Sequence, residues 1–231
     1  MKGLFITGTD TGVGKTYIGS ALVRTLSARG HRLRVRKPVE SGCAPSASGP
    51  EPADAIALHE AAGRVEPLDS VCPIRLQAAL SPPRAARLEG RPLSLSELTA
   101  SCQRGLGPQD LLIVEGAGGF YSPIAEDGLN ADLAQRLGLP LVLVIGDRLG
   151  CINHTLLTLE AARRRGLSIA ALVLSRPGSP DEASMDNLQD LSELLSDPIV
   201  AFPHDPERTR GDAAAAQLCQ VLESSLGRGG D

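Results

Sequence analysis

The stretch Gly8-Thr9-Asp10-Thr11-Gly12-Val13-Gly14-Lys15-Thr16 decides the reading of this chain. It fits the pattern G-x-x-x-x-G-K-[ST], follows a short apolar run, Leu4-Phe5-Ile6, and precedes a helical pattern. A strand, a Gly-rich turn and a helix in that order cradle the phosphates of a nucleotide. Backbone N–H groups of Gly12, Val13, Gly14 and the helix N-terminus point at the anion. Lys15 reaches the β- and γ-phosphates, and the Thr16 hydroxyl can take Mg²⁺. The chain has 23 basic residues, of which Lys2, Lys15 and Lys37 are the three lysines. In a chain that otherwise prefers arginine, a retained lysine points to a compact ammonium charge.

Outward from this loop, short apolar runs alternate with helical patterns, the rhythm of an α/β chain with a mainly parallel sheet. Candidate strands are 3–7, 33–37, 110–115, 140–145, 168–174 and 198–202. Leu111-Leu112-Ile113-Val114 and Leu141-Val142-Leu143-Val144-Ile145 are apolar throughout, as suits strands covered by helices on both faces. Candidate helices are 15–28, 53–62, 94–104, 129–136, 152–165, 184–195 and 212–226, with Gly30, Gly138 and Gly166 at expected helix ends. Residues 44–52 and 177–184 read as surface loops, and the Gly-rich end 227–231 as a fraying tail. No internal repeat or linker divides residues 1–226, so one α/β domain is expected.

The bulk numbers agree. At 231 residues, 42% hydrophobic and 22% charged, the chain can bury a full core, and 2% aromatic content makes that core aliphatic. A net charge of −4 gives no bulk pull toward nucleic acid or an anionic membrane. Cysteines 43, 72, 102, 151 and 219 are odd in number and form no C-x-x-C pair, so reduced thiols are expected rather than a disulfide or zinc framework. The N-terminal apolar run is too short for a signal peptide, and no segment approaches a membrane span. A cytoplasmic protein is expected.

Other stretches carry candidate chemistry. Arg36-Lys37-Pro38-Val39-Glu40-Ser41-Gly42 ends the second candidate strand. Ligands of open α/β sheets sit at the carboxyl ends of strands, so Lys37 is placed to share a crevice with Lys15. Two ammonium groups on one polyphosphate could neutralise charge on a transferred phosphoryl group. A surface lysine beside a loop is the alternative. Leu111–Val114 delivers Glu115 at a strand end, where a carboxylate could hold Mg²⁺, and Gly116-Ala117-Gly118-Gly119 lets backbone approach a ligand closely. Asp54 opens a candidate helix and could be a cap or first-turn acid. Leu149-Gly150-Cys151-Ile152-Asn153-His154 opens another helix whose N-terminus suits a carboxylate. Packing or capping explains Cys151 and His154 better than a catalytic pair. His31, His59 and His204 have no metal-ligand spacing, and Arg163-Arg164-Arg165 reads as a solvated helix end.

Together these motifs resemble the dethiobiotin synthetase family. The matching blocks are GTDTGVGKT (Gly8–Thr16), KPVESG (Lys37–Gly42), EGAGG (Glu115–Gly119) and LGCINH (Leu149–His154), in family order over nearly the whole chain. The resemblance implies a single-domain P-loop NTPase-like fold and an ATP-dependent ligase of biotin biosynthesis. Its substrates would be 7,8-diaminononanoate, CO₂ or bicarbonate, and ATP with Mg²⁺. It implies Thr16, Asp54 and Glu115 as metal ligands, and Lys15 and Lys37 as catalytic groups at the γ-phosphate and carbamate. Gly116, Ala117 and Gly118 would lie on the nucleotide side. Thr11 and Ser41 would face the substrate, and Gly150, Cys151, Ile152 and Asn153 would receive its carboxylate across a homodimer interface.

Three positions depart from the family pattern. Gly12 replaces a larger residue, often Glu. Ser175-Arg176 stands where Asn-Asp often reads adenine, and of Pro203-His204-Asp205 on the other base-side position only the proline fits. The base preference is left open, with ATP the default. The rival reading is a regulatory ATPase of the ParA/MinD type. Such proteins carry a lysine early in the phosphate loop, whereas here none precedes Lys15 within it, and Ala213–Leu226 lacks a basic membrane-targeting face.

Overall fold

The structure, a computed structural model, describes residues 2–47, 49–176, 186–203 and 209–226. Six strands form one parallel sheet: β1 (Gly3–Gly8), β2 (Leu33–Arg36), β3 (Leu111–Glu115), β4 (Leu141–Gly146), β5 (Ile169–Arg176) and β6 (Ile199–Pro203). Their spatial order is β6-β5-β4-β1-β3-β2, all parallel. The described helices are α1 (Lys15–Ala28), α2 (Ala53–Ala61), α3 (Leu68–Val71), α4 (Pro82–Leu88), α5 (Leu95–Gln103), α6 (Asn130–Leu137), α7 (Cys151–Arg164), α8 (Asn187–Leu194) and α9 (Thr209–Leu226).

Strand side chains alternate between two apolar layers, because successive Cβ atoms point to opposite faces. Leu4 and Ile6 of β1 join a layer with Ile18 and Leu22 of α1, Leu58 of α2 and Leu218 of α9. Phe5 joins the opposite layer with Leu98 of α5 and Leu133 of α6. Leu143 and Ile145 of β4 pack on that second side with Leu159 of α7 and Leu191 of α8. Both faces are thus covered, which is why Leu111–Val114 and Leu141–Ile145 are apolar throughout. All six expected strands are present, as are the seven expected helices within the described residues.

Residues 44–52, expected as a loop, instead carry an antiparallel pair, exposed Ala44–Ser46 with partly buried Gly49–Glu51. Each member is an edge strand, where proline is tolerated because its missing N–H faces solvent. Val39–Ser41 and Ile74–Leu76 pair in parallel, a further unanticipated element. Helix α4 also escaped the periodicity reading, although Ser81 followed by Pro82 and Pro83 at the first helical positions is its signature. The expected loop 177–184 and tail 227–231 lie outside the described residues.

Candidate active site

In a parallel sheet all carboxyl ends lie on one edge, and this strand order makes β1, β3 and β2 neighbours there. The chain runs from β1 to one side through β2 and β3, then crosses to β4 on the other. The loop after β1 therefore sits where ligands of open α/β sheets bind. It is stitched in place by Thr9 N–H donating to Val144 O and Phe120 N–H to Gly8 O, both at 2.9 Å. Gly14 ends the loop at φ 94°, a left-handed turn that needs glycine, and α1 starts at Lys15. The first turn of α1 has no acidic residue and no side-chain cap, so its N–H groups and positive dipole end are open to an anion.

Three neighbouring strand ends deliver one polar cluster. Lys37, just beyond β2, is 3% exposed; its Nζ donates to Glu115 Oε1 at 2.5 Å and to Asp54 Oδ2 at 2.7 Å. Thr16 Oγ1 donates to the same Glu115 Oε1 at 2.8 Å. Glu115 Oε2 is buried with no hydrogen-bond partner. Lys15 is 7% exposed, and its Nζ donates to Asp10 O at 3.1 Å. Burial pulls the Lys15 ammonium below its ordinary pKa, and the nearby Lys37 charge adds to that against the opposing pull of Glu115. Burial acts the same way on Lys37, but Glu115 and Asp54 outweigh it and raise its pKa. For Asp54, burial raises the pKa, yet the Lys37 ammonium beside it leaves the net shift downward.

Asp54 does stand in the first turn of α2, as an ordinary helix acid would, and it also meets Lys37. Hydroxyl and carboxylate oxygens are the hard donors that Mg²⁺ takes. The orphaned Glu115 oxygen, and a cation already seated between two carboxylates, fit a divalent-ion site. Thr16, Asp54 and Glu115 could hold such an ion.

The loop after Glu115 is held by a residue the sequence reading passed over. Asn130, fully buried at the start of α6, accepts from Ala117 N at 3.0 Å and donates to Ala117 O, Gly119 O and Ser122 O at 2.7, 3.1 and 3.0 Å. A Cβ at Gly116 would lie 2.4 Å from its Oδ1, so the loop tolerates only glycine there. An Asn following Gly-Leu at a helix start was the available signal, but only the fold shows what it grips. Glu40, inside KPVESG, was also passed over: it accepts from Asp54 N and Ala55 N at 2.9 Å each.

Other expected site residues lie around this cluster. Thr11 and Gly12 are exposed in the phosphate loop, Val13 is buried, and Ser41 is half-buried at the end of its short strand. Gly118 has φ 80°. Gly150, at φ 87°, caps α7; Cys151 and Ile152 pack inward while Asn153 is exposed. Burial raises the Cys151 thiol pKa, the opposite of an activated nucleophile. Next to this segment, Arg148 donates to Asp10 Oδ2 at 2.8 Å, tying the α7 start to the phosphate loop. Of the positions expected on the base side, Ser175 is buried behind Gly14. Arg176 Nε donates to Asp147 Oδ2 at 2.9 Å, and Asn187 Nδ2 to Asp147 Oδ1 at 2.7 Å. Pro203 pairs in register with Arg176. His204 and Asp205 lie outside the described residues.

Comparison with known proteins decides the family. A family model described as an AAA domain matches residues 2–209. The ATP-dependent dethiobiotin synthetase BioD of Anaeromyxobacter dehalogenans (strain 2CP-1) is 44% identical over 228 residues, covering 98% of this chain and 99% of the relative. The protein of that name from Cellvibrio japonicus (strain Ueda107) is 38% identical over 217 residues, covering 94% and 95%. The chain belongs to the ATP-dependent dethiobiotin synthetase family.

Similar solved structures are more distant. The septum site-determining protein MinD of Pyrococcus horikoshii, complexed with Mg-ADP, superimposes with a TM-score of 0.60 at 18% identity over 98% of each chain. Cobyrinic acid a,c-diamide synthase of Mycobacterium smegmatis, with bound ATP analog and magnesium, gives 0.56 at 15% identity over 99% and 97%. At those identities the likeness shows the P-loop fold alone, and the MinD-type reading is not favoured over the family match. No helix among the described residues is long and apolar enough to cross a membrane.

Proposed function

We propose that this chain is a dethiobiotin synthetase: an ATP-driven, Mg²⁺-dependent ligase that carboxylates 7,8-diaminononanoate with CO₂ and closes the cyclic urea of dethiobiotin. The observation that carries the reading is the convergence of Lys15, Lys37, Thr16, Asp54 and Glu115 in one crevice of a chain belonging to this family. One amine of the substrate takes up CO₂ as a carbamate and releases a proton. The carbamate oxygen takes the γ-phosphoryl group of ATP, leaving ADP and a carbamic–phosphoric anhydride. The second amine attacks the carbonyl and expels phosphate. No protein nucleophile is required.

The chain's task is to bring two anions together and hold them in line. The N–H groups of Gly12 to Thr16 cradle the phosphates. Lys15 neutralises the γ-phosphate. Lys37 leaves its carboxylate partners to receive charge developing between carbamate and phosphate. When bound, Mg²⁺ would neutralise the β- and γ-oxygens; Thr16, Asp54 and Glu115 would hold it. Gly116, Ala117 and Gly118 line the nucleotide side, with Ser175, Arg176 and Pro203 toward the base. Thr11 and Ser41 face the diamine.

The α7 segment from Gly150 to Asn153 receives the substrate carboxylate across a homodimer interface. Exposed Leu149, Leu156 and Leu157 beside it supply an apolar face that supports this pairing. All five cysteines are free and buried, which supports a reducing, cytoplasmic setting.

The test is a purified reaction with diaminononanoate, bicarbonate, Mg²⁺ and ATP, scored for dethiobiotin and repeated with CTP and GTP. Phosphate release that ignores the diamine would overturn the synthetase reading.

A further inference from the structure

We propose that Glu40 is a positioning residue for the metal side of this site: it clamps the backbone of Asp54 so that the Asp54 carboxylate faces Lys37, Thr16 and Glu115. The inference rests on the reading of Asp54 as a metal ligand.

Helix α2 follows Pro52, which has no side-chain acceptor to cap it. The first N–H groups of any helix lack intrahelical partners. Here a carboxylate from a distant segment takes two of them. Glu40 Oε1 accepts from Asp54 N and Oε2 from Ala55 N, both at 2.9 Å. Glu40 is 7% exposed, so little water competes for these bonds. Its negative charge also lies at the positive end of the helix dipole.

Glu40 is itself held. It lies in the strand Val39–Ser41, in register with Arg75 of Ile74–Leu76, and its carbonyl accepts from the Cys43 thiol at 3.4 Å. The segment 37–40 thus grips Asp54 twice. Lys37 holds the carboxylate at 2.7 Å, and Glu40 holds the backbone. The first grip is released when Lys37 turns to a ligand. The second does not involve the Asp54 side chain and keeps it aimed while Lys37 is away.

A cap that only stabilises α2 would give the same contacts, so the test reads metal binding. Mn²⁺ serves as a spectroscopic probe, titrated by electron paramagnetic resonance in the presence of ADP. Wild type, Glu40→Ala, Glu40→Gln, Asp54→Asn and the Glu40→Ala/Asp54→Asn double variant are compared, each checked for folding by thermal melting. Glu40→Ala should weaken Mn²⁺ about tenfold, the lower end for outer-sphere partners of a metal site, and Asp54→Asn, which removes a ligand, by at least as much. The double variant should bind no more weakly than Asp54→Asn alone, because both act through one carboxylate. Glu40→Gln keeps one acceptor oxygen and should fall between wild type and Glu40→Ala. If Glu40→Ala does not fold, Glu40→Gln alone is read, and a few-fold weakening supports the proposal. Folded Glu40 variants with a lowered melting temperature and unchanged Mn²⁺ affinity would overturn it. Unchanged Mn²⁺ affinity in Asp54→Asn would instead sink the assignment of Asp54 as ligand, a distinct failure.

Discussion

Lys37 Nζ and Glu115 Oε1 meet at 2.5 Å, with side chains 3% and 0% exposed, where the ends of β2 and β3 come together. Neither charge could be buried alone, since an unpaired ion in a low-dielectric interior carries a penalty of several kcal/mol. Each therefore stabilises the other until something of higher charge arrives. A polyphosphate with its divalent ion is such a ligand, and it can take both groups from one another.

Replacing Lys37 should consequently affect folding as well as turnover. Lys37→Gln keeps a donor but leaves Glu115 buried without its counter-ion. The expected loss is about 3 kcal/mol of stability and about 10²-fold or more in turnover. Urea denaturation and steady-state phosphate release measure the two. Turnover within a factor of two of wild type would remove Lys37 from the mechanism.

Asn130→Ala removes four hydrogen bonds from the loop between Ala117 and Ser122. Backbone groups of half-buried Ala117 and buried Gly119 left unpaired make the expected cost about 2–3 kcal/mol. Because Phe120 of that loop bonds Gly8 O, the nucleotide KM should rise as well. A fall in melting temperature with unchanged KM for ATP would confine Asn130 to folding.

Gly14→Ala meets two obstacles. The backbone is at φ 94°, and the new Cβ would lie 2.8 Å from Ser175 Oγ. Nucleotide binding and stability should both fall, stability by more than about 1 kcal/mol. Adding Ser175→Ala relieves the contact and leaves the φ strain. Fluorescent-nucleotide titration of the double variant should therefore show little recovery; full recovery would make the clash the sole cause.

Acid should destabilise the fold in a predictable window. Asp110 is held below the ordinary carboxylate range by the Gly107 N–H and by Arg34 and Arg32. Burial works against Asp132, but the Leu129 N–H and Arg165 leave it lowered too, and Asp54 is lowered in the same sense by Lys37. Depressed carboxylates contribute stability above the unfolded pKa, about 4, and lose it as pH falls through their folded values. Glu40, raised by burial, opposes them in part. Lys37 is raised, so its contribution disappears only on the alkaline side, above about pH 10.4. The urea midpoint should hold from pH 7 to 5 and drop between pH 4 and 3. A midpoint unchanged at pH 3 would count against these pairs.

Much of this was legible in the chain, and for local reasons. Strands such as Leu141–Gly146 announce themselves because burial on both faces demands an unbroken apolar run. Gly14 and Lys15 announce the phosphate loop because a left-handed turn into a helix start needs glycine there. The pair Val39–Ser41 with Ile74–Leu76 was not legible, since three-residue strands carry too little periodicity to distinguish from loop. Nor could spacing tell whether Asp54 was a helix acid or a partner of Lys37. Both descriptions hold, and the second depends on a contact across 17 positions.

The sequence by itself determined the alternation of strands and helices, the phosphate loop and the residue types of the site, because each follows from neighbours within a few positions. Only the tertiary structure decided that Lys37, Glu115, Thr16 and Asp54 share one point, that Cys151 faces the core, and that Glu40 and Asn130 do the clamping. The shared point depends on the strand order β1-β3-β2, which sets distant strand ends side by side. No local pattern encodes that order; it follows from which packing buries both faces of the whole sheet.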